Sequence, residues 1–572
     1  THEGWEDAAV PPERLGEYLR DFRDLLSRHH YEGAALYGHF GHGCVPTRIP
    51  FELRTEEGFA AYRSFVTEAA DLVVSYGGSL SGEHGDGQSR GELLPKMFGD
   101  DLVRAFGEMK AAFDPRNRMN PGKVVSPYRL DENLMLRGWF PGRPKSYFQF
   151  PNDDGSFASA ASRCVGVGKC RGDEGGLMCP SYRVTHEEEH ATRGRARLLM
   201  EMVRGEVITG GWRSTEVRDA LDLCLACKGC RKECPVEVDM ATYKAEFLAH
   251  HYAKRLRPAA HYSMGWLPLA ARLAAAAPGV VNGLIRAPGL ARVIKRAGGI
   301  DHHRELPRFA AETFAHWHAR NGALGQPAQA RQAGQHVVLW PDTFTNYFHP
   351  EVGQAALAVL QDAGFQVEMP GKPLCCGLTW ISTGQLGIAS RMLRRTLAEL
   401  RPALDTGRQV VVLEPSCAAV FRSDAPELLG RKDAGLLARQ TRTLAEVLHE
   451  ARWRPSLVRQ RDGQAKAIAQ VHCHQHAIMG FEADTAVLRA CGVDVDVLDT
   501  GCCGLAGNFG FERGHYEVSA GCAERGLWPA VAGADEGTAI LADGFSCRTR
   551  SRRETWGGRG FISPSFSPGK PG

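Results

Sequence analysis

Four cysteines between residues 224 and 234 carry the clearest chemistry in the sequence. They read C-x2-C-x2-C-x3-C and precede Pro235, with thiols at Cys224, Cys227, Cys230 and Cys234. Thiolates at this spacing reach the corners of a cubane iron–sulfur cluster, and the cysteine before proline completes that cluster or ligates a neighbouring one. A zinc knuckle is the alternative, but zinc sites usually use two separated C-x2-C pairs. The run therefore predicts a 4Fe-4S cluster and one-electron transfer.

A looser group of thiols lies upstream, at Cys164, Cys170 and Cys179, with Pro180 after the last of them. In two-cluster ferredoxins the cysteine before proline crosses to the other cluster. On that logic Cys179 completes the cluster of the downstream run, and Cys234 joins the two upstream thiols in a second cluster. With three protein thiolates, the second would be a three-iron cluster or a four-iron cluster with a non-cysteine ligand. The other arrangement is a single cluster on the four downstream thiols. The sequence leaves both arrangements open.

Two Cys-Cys-Gly motifs mark an internal repeat over residues 331–550. Each copy alternates short apolar strands with helical stretches, which predicts two small α/β units with parallel sheets. The second copy offers four thiols, at Cys473, Cys502, Cys503 and Cys547. The first offers three, at Cys375, Cys376 and Cys417, and has no thiol near residues 341–343, where the match to Cys473 falls. We therefore expect the second copy to bind a cluster more securely, with a redox-active dithiol or a zinc site as the alternative.

Two glycine-rich loops near the N-terminus form a third candidate site. The turn 37–43 contains His39 and His42, and the loop 77–87 contains Glu83 and His84. Imidazole and carboxylate groups on close-approach backbone suit a divalent metal or a general base beside a flat cofactor. Arg48 follows the first loop, where its guanidinium is expected to bind a substrate carboxylate in a bidentate manner.

These sites imply a multidomain α+β chain. We expect seven segments along the 572 residues. They are an α+β substrate domain (1–128), a linker (129–155), a helical ferredoxin-type iron–sulfur domain (156–255), a helical connector (256–330), two α/β repeats (331–430 and 431–550) and a flexible tail (551–572). Because the chain starts at Thr1 in helix-like sequence, we expect it to be truncated at its N-terminus.

Composition narrows the function classes. Lys and Arg number 69 against 66 Asp and Glu, so nothing points to nucleic acid. No apolar run reaches eighteen residues, so no spanning helix is predicted. The 17 cysteines favour metal ligation in a reducing compartment, which suggests the cytoplasm. The connector reads as a helical segment packed on its own protein, with an amphipathic surface helix touching a membrane as the alternative. The sequence is also compatible with a homo-oligomer.

Together, the motifs resemble a known family. The stretches 37–43, 81–87 and 120–123 resemble the C-terminal domain of FAD-linked 2-hydroxy-acid oxidases. The cysteine run and the Cys-Cys-Gly repeats are similar to the iron–sulfur subunits of glycolate oxidase and anaerobic glycerol-3-phosphate dehydrogenase. Both halves on one chain resemble the large bacterial flavin and iron–sulfur D-2-hydroxyglutarate dehydrogenases. The resemblance covers roughly residues 15 to 550.

The resemblance implies roles for individual residues. His84 matches the catalytic histidine beside the flavin, and Arg48 lies near the substrate. His39 and Glu83 match ligands of a divalent metal such as zinc. Pro46 stands where that branch has a second histidine ligand, so the metal site is in doubt unless His42 substitutes. The cofactor-binding positions are Asn120, Gly82 and Gly85.

The resemblance also implies an activity. A D-2-hydroxy acid, with D-2-hydroxyglutarate favoured, would be oxidised with FAD, and electrons would pass through 4Fe-4S clusters to a quinone or another acceptor. The FAD pyrophosphate-binding domain would precede Thr1, and this chain alone would be inactive. The alternatives are a glycolate or D-lactate dehydrogenase and a non-catalytic iron–sulfur electron-transfer subunit.

Overall fold

A computed structural model describes residues 4–53, 55–134, 145–321, 335–455, 465–499 and 501–552. The chain divides into two units, Thr1–Gly142 and Arg143–Gly572. Most of the expected linker and connector is described, whereas residues 553–572 of the expected tail lie outside the described residues.

The first unit packs helices around an apolar core. Its helices are Leu15–Arg28, Glu56–Ser75, Gly87–Gly91 and Leu94–Phe113. The apolar spacing after Phe59 predicts a helix, and the helix Glu56–Ser75 forms there because the Thr55 hydroxyl accepts the N–H of Gly58 at 3.0 Å and caps its first turn. Phe65, Val66 and Ala69 lie on its buried face.

Four two-residue strands bring the loops of the first unit together. They are β1 (Ala8–Ala9), β2 (Ala35–Leu36), β3 (Cys44–Val45) and β4 (Thr47–Arg48). Strand β1 pairs antiparallel with β3, and β2 pairs antiparallel with β4. Ala9 also bridges Ser79, at the start of the second glycine loop. The segment before β1, the histidine turn and the second glycine loop therefore meet at one place.

The second unit begins with helices and long loops. Over residues 145–321 its helices are Phe157–Ala161, Pro180–Thr185, Thr192–Arg204, Thr215–Asp222, Gly229–Glu233, Met240–His251, Ala259–Ser263, Leu267–Ala274, Pro278–Arg286, Pro288–Ala297 and Phe314–Asn321. The cysteines of the predicted iron–sulfur domain lie in the loops and first turns between the earlier helices. Short helices with cysteine-bearing loops agree with the predicted helical ferredoxin-type fold.

Two parallel sheets follow. The first has the order β6-β5-β7-β8, with β5 (His336–Trp340), β6 (Gln366–Glu368), β7 (Gln409–Val412) and β8 (Thr441–Thr443). The second has the order β10-β9-β11, with β9 (Ala465–Ala469), β10 (Val493–Val497) and β11 (Ala539–Leu541). In each sheet the first strand lies between the second and third, and all pairs are parallel. Because β8 pairs with β7, the first sheet extends beyond residue 430, where the sequence placed the repeat boundary.

Helices cover both sheets. Those of the first sheet are Thr343–Tyr347, Pro350–Asp362, Leu378–Ser382, Leu386–Asp405, Pro415–Ala419, Ala425–Leu429, Arg431–Gln440 and Leu444–Glu450. Those of the second are Cys473–Ile478, Glu482–Ala490, Tyr516–Glu524, Leu527–Gly533 and Phe545–Ser551. The repeated topology places the thiols of each copy at the carboxyl ends of its strands, where α/β folds build their sites.

Candidate functional site

Asp7 organises the second glycine loop of the first unit. Its carboxylate is fully buried and accepts the backbone N–H groups of Glu83 at 2.7 Å and His84 at 2.6 Å, the Ser81 hydroxyl at 3.0 Å and the Arg90 guanidinium at 3.2 Å. Burial alone would raise the pKa of Asp7, but these hydrogen bonds and Arg90 hold it below its ordinary value. One carboxylate thus sets the backbone that presents the predicted catalytic histidine.

His84 and His39 each face a carboxylate. The His84 Nδ1 lies 3.3 Å from the Glu6 Oε2, and the His39 Nε2 lies 3.8 Å from the Glu83 Oε1. A proton on the His84 Nδ1 shared with Glu6 leaves its Nε2 free to accept a proton. Sequence reasoning missed Glu6 and Asp7, because two acidic residues before a short strand carry no motif of their own.

Arg48 lies beside the histidine turn. It is the last residue of β4, opposite Ala35, and its Nε donates to the Tyr37 hydroxyl at 3.4 Å. Its side chain is exposed, and its guanidinium carbon lies 5.9 Å from the centre of the Tyr37 ring. The β2–β4 pairing therefore places a cation next to the turn that contains His39.

The predicted flavin-contacting positions use special backbone. Gly85 and Asn120 have positive φ angles of 86° and 46°. A Cβ at Gly82 would lie 2.5 Å from the Cys44 sulfur, so only glycine allows the loop to approach β3 there. These positions stay predictions as flavin contacts.

The predicted divalent metal site lacks a full set of ligands among the described residues. His39 and Glu83 supply two donors, and the His42 ring centre lies 6.4 Å from that of His39. Pro46, between β3 and β4 in the chain, is buried. Among the described residues of the first unit, no three His, Cys, Asp or Glu ligand atoms cluster around this pair. We therefore derive no chemical step through a metal here.

The downstream cysteine run forms a buried loop around Lys228. Ala226 and Lys228 adopt left-handed backbone, with φ of 52° and 59°, which lets the chain wrap inward between the thiols. The Lys228 ammonium is buried and lies 3.0 Å from a carboxylate oxygen of Asp239 and 3.0 Å from one of Asp424. Burial would lower the pKa of Lys228, but Asp239 and Asp424 raise it above its ordinary value. The loop is thus tied both to the helix Met240–His251 and to the first α/β repeat.

The thiols of the upstream group lie close to those of the downstream run. Burial raises the pKa of Cys164, and the nearby thiols of Cys170 and Cys234 add to the shift. The Cys170 thiol and burial raise the pKa of Cys179, and Cys230 adds to that shift. Cys234 therefore neighbours the upstream pair while Cys179 neighbours the downstream run. Cys179 also hydrogen-bonds the Cys170 thiol and Cys234 also neighbours Cys230, so the two groups form one contiguous set of thiols and both arrangements remain predictions.

Backbone N–H groups point at several of these sulfurs. The Thr192 N–H donates to the Cys179 sulfur at 3.0 Å, the Arg193 N–H to the Cys170 sulfur at 3.4 Å, and the Met240 N–H to the Cys230 sulfur at 3.4 Å. Such bonds stabilise thiolates and tune cluster potentials. A buried all-sulfur donor set with N–H···S bonds fits iron–sulfur clusters.

The second repeat brings its four thiols together. The sulfurs of Cys503 and Cys547 lie 3.6 Å apart, and the thiols of Cys473 and Cys503 both raise the pKa of Cys502. The Gly504 N–H donates to the Cys502 sulfur at 3.4 Å. Residues 44 positions apart thus share one buried site, as predicted.

The first repeat has the same arrangement with one thiol replaced. The Cys376 and Cys417 sulfurs lie 2.9 Å apart, and the Gly377 N–H donates to the Cys375 sulfur at 3.4 Å. The helix after β5 begins at Thr343, just as the helix after β9 begins at Cys473. The Thr343 hydroxyl bonds the Cys375 thiol and so takes the place of the missing sulfur.

The second thiol set lies against the ferredoxin-type loop. Burial raises the pKa of Cys227, and Cys473 adds most among the neighbouring thiols. Cys227, Cys473 and Cys502 share one apolar cluster, and the His474 Nε2 lies 3.0 Å from the carbonyl oxygen of Ala226. Sequence reasoning missed this contact, because 248 residues separate His474 from Ala226.

Glu414 joins the two repeats. It is buried, its Oε2 accepts the N–H of Phe545 at 2.9 Å, and its Oε1 lies 3.9 Å from the Nε2 of His472. Burial and Glu414 raise the pKa of Asp342, at the end of β5, to about 6. Buried polar contacts therefore connect the two repeats beside the apolar contact of Phe344 with Phe545.

Cys491 and Cys522 belong to neither predicted ligand set. Cys491 is partly buried, and the Cys522 thiol donates to the carbonyl oxygen of Pro180 at 3.6 Å. Cys522 packs in the same apolar cluster as Cys227 and Cys473.

Comparison with known proteins identifies the domains. Residues 3–124 match the C-terminal domain of FAD-linked oxidases, residues 160–238 match a 4Fe-4S dicluster domain, and residues 342–422 match a cysteine-rich domain. The predicted multidomain α+β class and the predicted cofactor classes, FAD and 4Fe-4S clusters, are confirmed by these matches. The dicluster match agrees with the crossed thiol arrangement.

Relatives are similar over most of the chain. The D-2-hydroxyglutarate dehydrogenase of Pseudomonas putida is 29% identical over 96% of this chain and 57% of its own length. One of the subunits of the anaerobic glycerol-3-phosphate dehydrogenase of Escherichia coli is 29% identical over 42% of this chain and 60% of its own length. The D-lactate dehydrogenase of Archaeoglobus fulgidus is 39% identical over 21% of this chain and 26% of its own length.

The chain spans 57% of the length of the Pseudomonas putida relative that it matches. Within that span, the order of domains and the cysteine sets agree with the predicted resemblance. The chain is thus similar along almost its whole length to bacterial D-2-hydroxyglutarate dehydrogenases, with an FAD-linked oxidase C-terminal domain followed by iron–sulfur and cysteine-rich domains.

Proposed function

We propose that the complete polypeptide containing this chain oxidises a D-2-hydroxy acid, with D-2-hydroxyglutarate favoured, to the 2-oxo acid. The observation that carries the proposal is the His84 imidazole, held on an Asp7-organised loop with its Nδ1 at 3.3 Å from Glu6. A general base in this tautomer suits removal of a hydroxyl proton.

Different residues of this chain would then accept the proton and bind the substrate. The His84 Nε2 takes the hydroxyl proton, and the Arg48 guanidinium binds a carboxylate of the substrate. FAD, when bound, accepts the C2 hydride, so the substrate loses two electrons and two hydrogens in all. His39 and Glu83 lie on the same loops and remain predicted ligands for a divalent cation. Asn120, Gly82 and Gly85 remain the predicted flavin contacts.

The thiol sets support a route for single electrons. Cys224, Cys227 and Cys230 with Cys179 would hold one 4Fe-4S cluster, and Cys164, Cys170 and Cys234 would hold a second. The set at Cys473, Cys502, Cys503 and Cys547 adjoins the first of these through Cys227. We therefore infer that electrons pass from the ferredoxin-type domain to the second repeat before the first. The exit would be a quinone or another carrier, reached in the cytoplasm or at the inner face of a membrane.

Flavin reduction by substrate tests the proposed reaction. In the complete polypeptide, D-2-hydroxyglutarate should bleach the flavin absorbance, and the L enantiomer should not. His84→Gln should slow the bleaching about 10²- to 10⁴-fold, the usual contribution of a general base. His186→Gln is the matched control, because His186 is exposed and lies in the second unit.

The outcomes separate the alternatives. Faster bleaching by glycolate or D-lactate would favour the corresponding dehydrogenase, in line with the D-lactate dehydrogenase match of the first unit. No bleaching by any 2-hydroxy acid would favour a non-catalytic electron-transfer subunit. Full activity in the His84→Gln variant would show that the base lies elsewhere.

A further inference from the structure

Two consecutive helices of the connector present a free apolar face. In the helices Pro278–Arg286 and Pro288–Ala297, all of which the structure describes, no residue is buried. Val280 and Leu284 are 64% and 47% exposed, and Leu290 and Val293 are 39% and 63% exposed. Spacings of four and three residues place each pair on one helix face. Leu273, at the end of the preceding helix, is 79% exposed.

The same region carries only positive charge. From Phe247 to Ile300 the sequence contains no Asp or Glu. Over that stretch the cations are Lys254, Arg255, Arg257, Arg272, Arg286, Arg292, Lys295 and Arg296. Of these cations, Arg286, Arg292 and Arg296 lie exposed on the helix pair itself, so the pair carries positive charge beside its apolar side chains.

The face of the helix pair opposite these apolar side chains is hydrogen-bonded to the rest of the second unit. The Asn282 side chain donates to the Phe309 carbonyl oxygen at 2.8 Å and accepts the Phe309 N–H at 2.9 Å. The Arg513 guanidinium donates to the Arg296 carbonyl oxygen at 2.9 Å, and Ile300 bridges Glu512. These hydrogen bonds hold the helix pair to the rest of the second unit. The exposed apolar side chains on its other face take no part in that attachment.

We propose that the helix pair 278–297, which we term the basic helix pair, docks the chain on an anionic lipid bilayer. Exposed Val and Leu side chains flanked by arginine and lysine match the interfacial position of an amphipathic helix, with the apolar side chains among the acyl chains and the cations at the headgroups. Exposed apolar patches also occur at protein interfaces, and the apolar side chains flanked by cations and by no acidic residue of the same stretch favour an anionic lipid surface here.

Docking would be peripheral rather than spanning. Within the part of the chain that the structure describes, no single helix is long and apolar enough to cross a membrane. The helices Leu267–Ala274 and Pro278–Arg286 are apolar enough together but meet at a bend of 115°. A bend of this size prevents the two helices from forming one straight span.

The position of the basic helix pair deepens the proposed function. Ile300, directly after the pair, packs in one apolar cluster with Cys503 and Cys547 of the second thiol set. Ala271, before the pair, packs with Phe545, two residues from Cys547. If the proposed electron route holds, docking brings its second thiol set next to the membrane, where a lipid-soluble quinone is the acceptor class that fits. The docking surface itself does not depend on substrate oxidation.

Vesicle binding tests the docking. The full chain should sediment with vesicles of phosphatidylglycerol and phosphatidylethanolamine, and not with phosphatidylcholine vesicles. Binding should weaken as salt rises. Reversing three cations of the pair should weaken binding by at least about a hundredfold, since each cation contributes about fivefold near an anionic surface and reversal removes at least that. The substitutions are Arg286→Glu, Arg292→Glu and Arg296→Glu.

An apolar variant and two controls complete the test. Val280→Glu with Leu284→Glu should abolish binding, and Val207→Glu, at a residue 75% exposed outside the region, should not. A charge control makes the same change in net charge on exposed arginines of the first unit. Its substitutions are Arg104→Glu, Arg116→Glu and Arg118→Glu.

Three results would overturn the proposal. They are equal binding to phosphatidylcholine, loss of binding in the control variants to the same degree, and self-association of the chain through the pair in place of vesicle binding. Vesicle binding needs no substrate. Flavin bleaching without vesicle binding would therefore contradict the docking proposal and leave the proposed reaction intact. Vesicle binding without bleaching would sink only the proposed reaction.

Discussion

Replacing Asp7 should release the loop that presents His84. Asp7→Ala removes the acceptor of two backbone N–H groups, at 2.7 and 2.6 Å, and leaves the Arg90 guanidinium buried without its carboxylate. Breaking a buried charged pair by removing one partner costs about 3 to 5 kcal/mol. Asp7→Asn keeps one acceptor oxygen but loses the charge, so about 1 to 3 kcal/mol is expected.

Hydrogen exchange at the amides of Glu83 and His84 measures this cost directly. Both amides donate to Asp7, so each exchanges only when the loop opens. In Asp7→Ala the exchange should accelerate by about two to three orders of magnitude, since each 1.4 kcal/mol is about tenfold. Asp7→Asn should accelerate it about 5- to 100-fold. Asp101→Asn is the control, because the Asp101 side chain is 90% exposed.

The pH dependence gives an independent check. The pKa of Asp7 is lower in the folded protein than in the unfolded chain, so its contribution to stability is present above an ordinary pKa of about 4 and is lost as the pH falls through the lower folded value. After correction for intrinsic exchange rates, protection of the Glu83 amide should fall below about pH 4 in the wild type and not in Asp7→Asn. Protection in Asp7→Ala equal to that of Asp101→Asn would refute the role of Asp7.

Four further substitutions test the second unit. Thr343→Cys should raise the iron content of the reconstituted chain and Cys473→Ser should lower it, as counted by iron analysis and EPR; unchanged iron in both would contradict their equivalence. Lys228→Met should lower the free energy of unfolding by about 3 to 5 kcal/mol, because the Asp239 carboxylate loses its buried ammonium; an unchanged urea midpoint would argue against that pairing. Burial lowers the pKa of His261 to about 3, whereas its ordinary pKa is about 6.5. Below about pH 6.5 the unfolded chain therefore binds a proton that the folded protein does not, and the free energy of unfolding falls by roughly 2 kcal/mol between pH 7 and pH 5. His261→Phe should remove that part of the pH dependence of thermal unfolding, and an identical pH profile would contradict it.

Much of the candidate site could be predicted from local sequence. Cluster ligands come from one short loop with fixed spacing, so the run from Cys224 to Cys234 is readable by itself. The repeat was readable because each copy shows the same strand–thiol order. The helix after Thr55 was readable because its apolar residues recur with helical period.

Other parts depended on residues far apart in the chain. Asp7 lies 77 positions from the His84 amide that it binds, and His474 lies 248 positions from Ala226. Their side chains are ordinary types with no motif, and only their burial and contacts show a role. The substitution of Thr343 for a thiol became visible only when both helix starts could be compared.

The sequence by itself determined which side chains can bind iron and which loops can approach a flavin, because ligand type, spacing and glycine content are local properties. The tertiary structure decided how these groups combine. It brought the upstream and downstream cysteine groups next to each other, laid the thiol set of Cys473 against Cys227, and left the apolar face of the helix pair 278–297 exposed. Proximity and burial arise from the packing of distant segments, and spacing along the chain does not contain them.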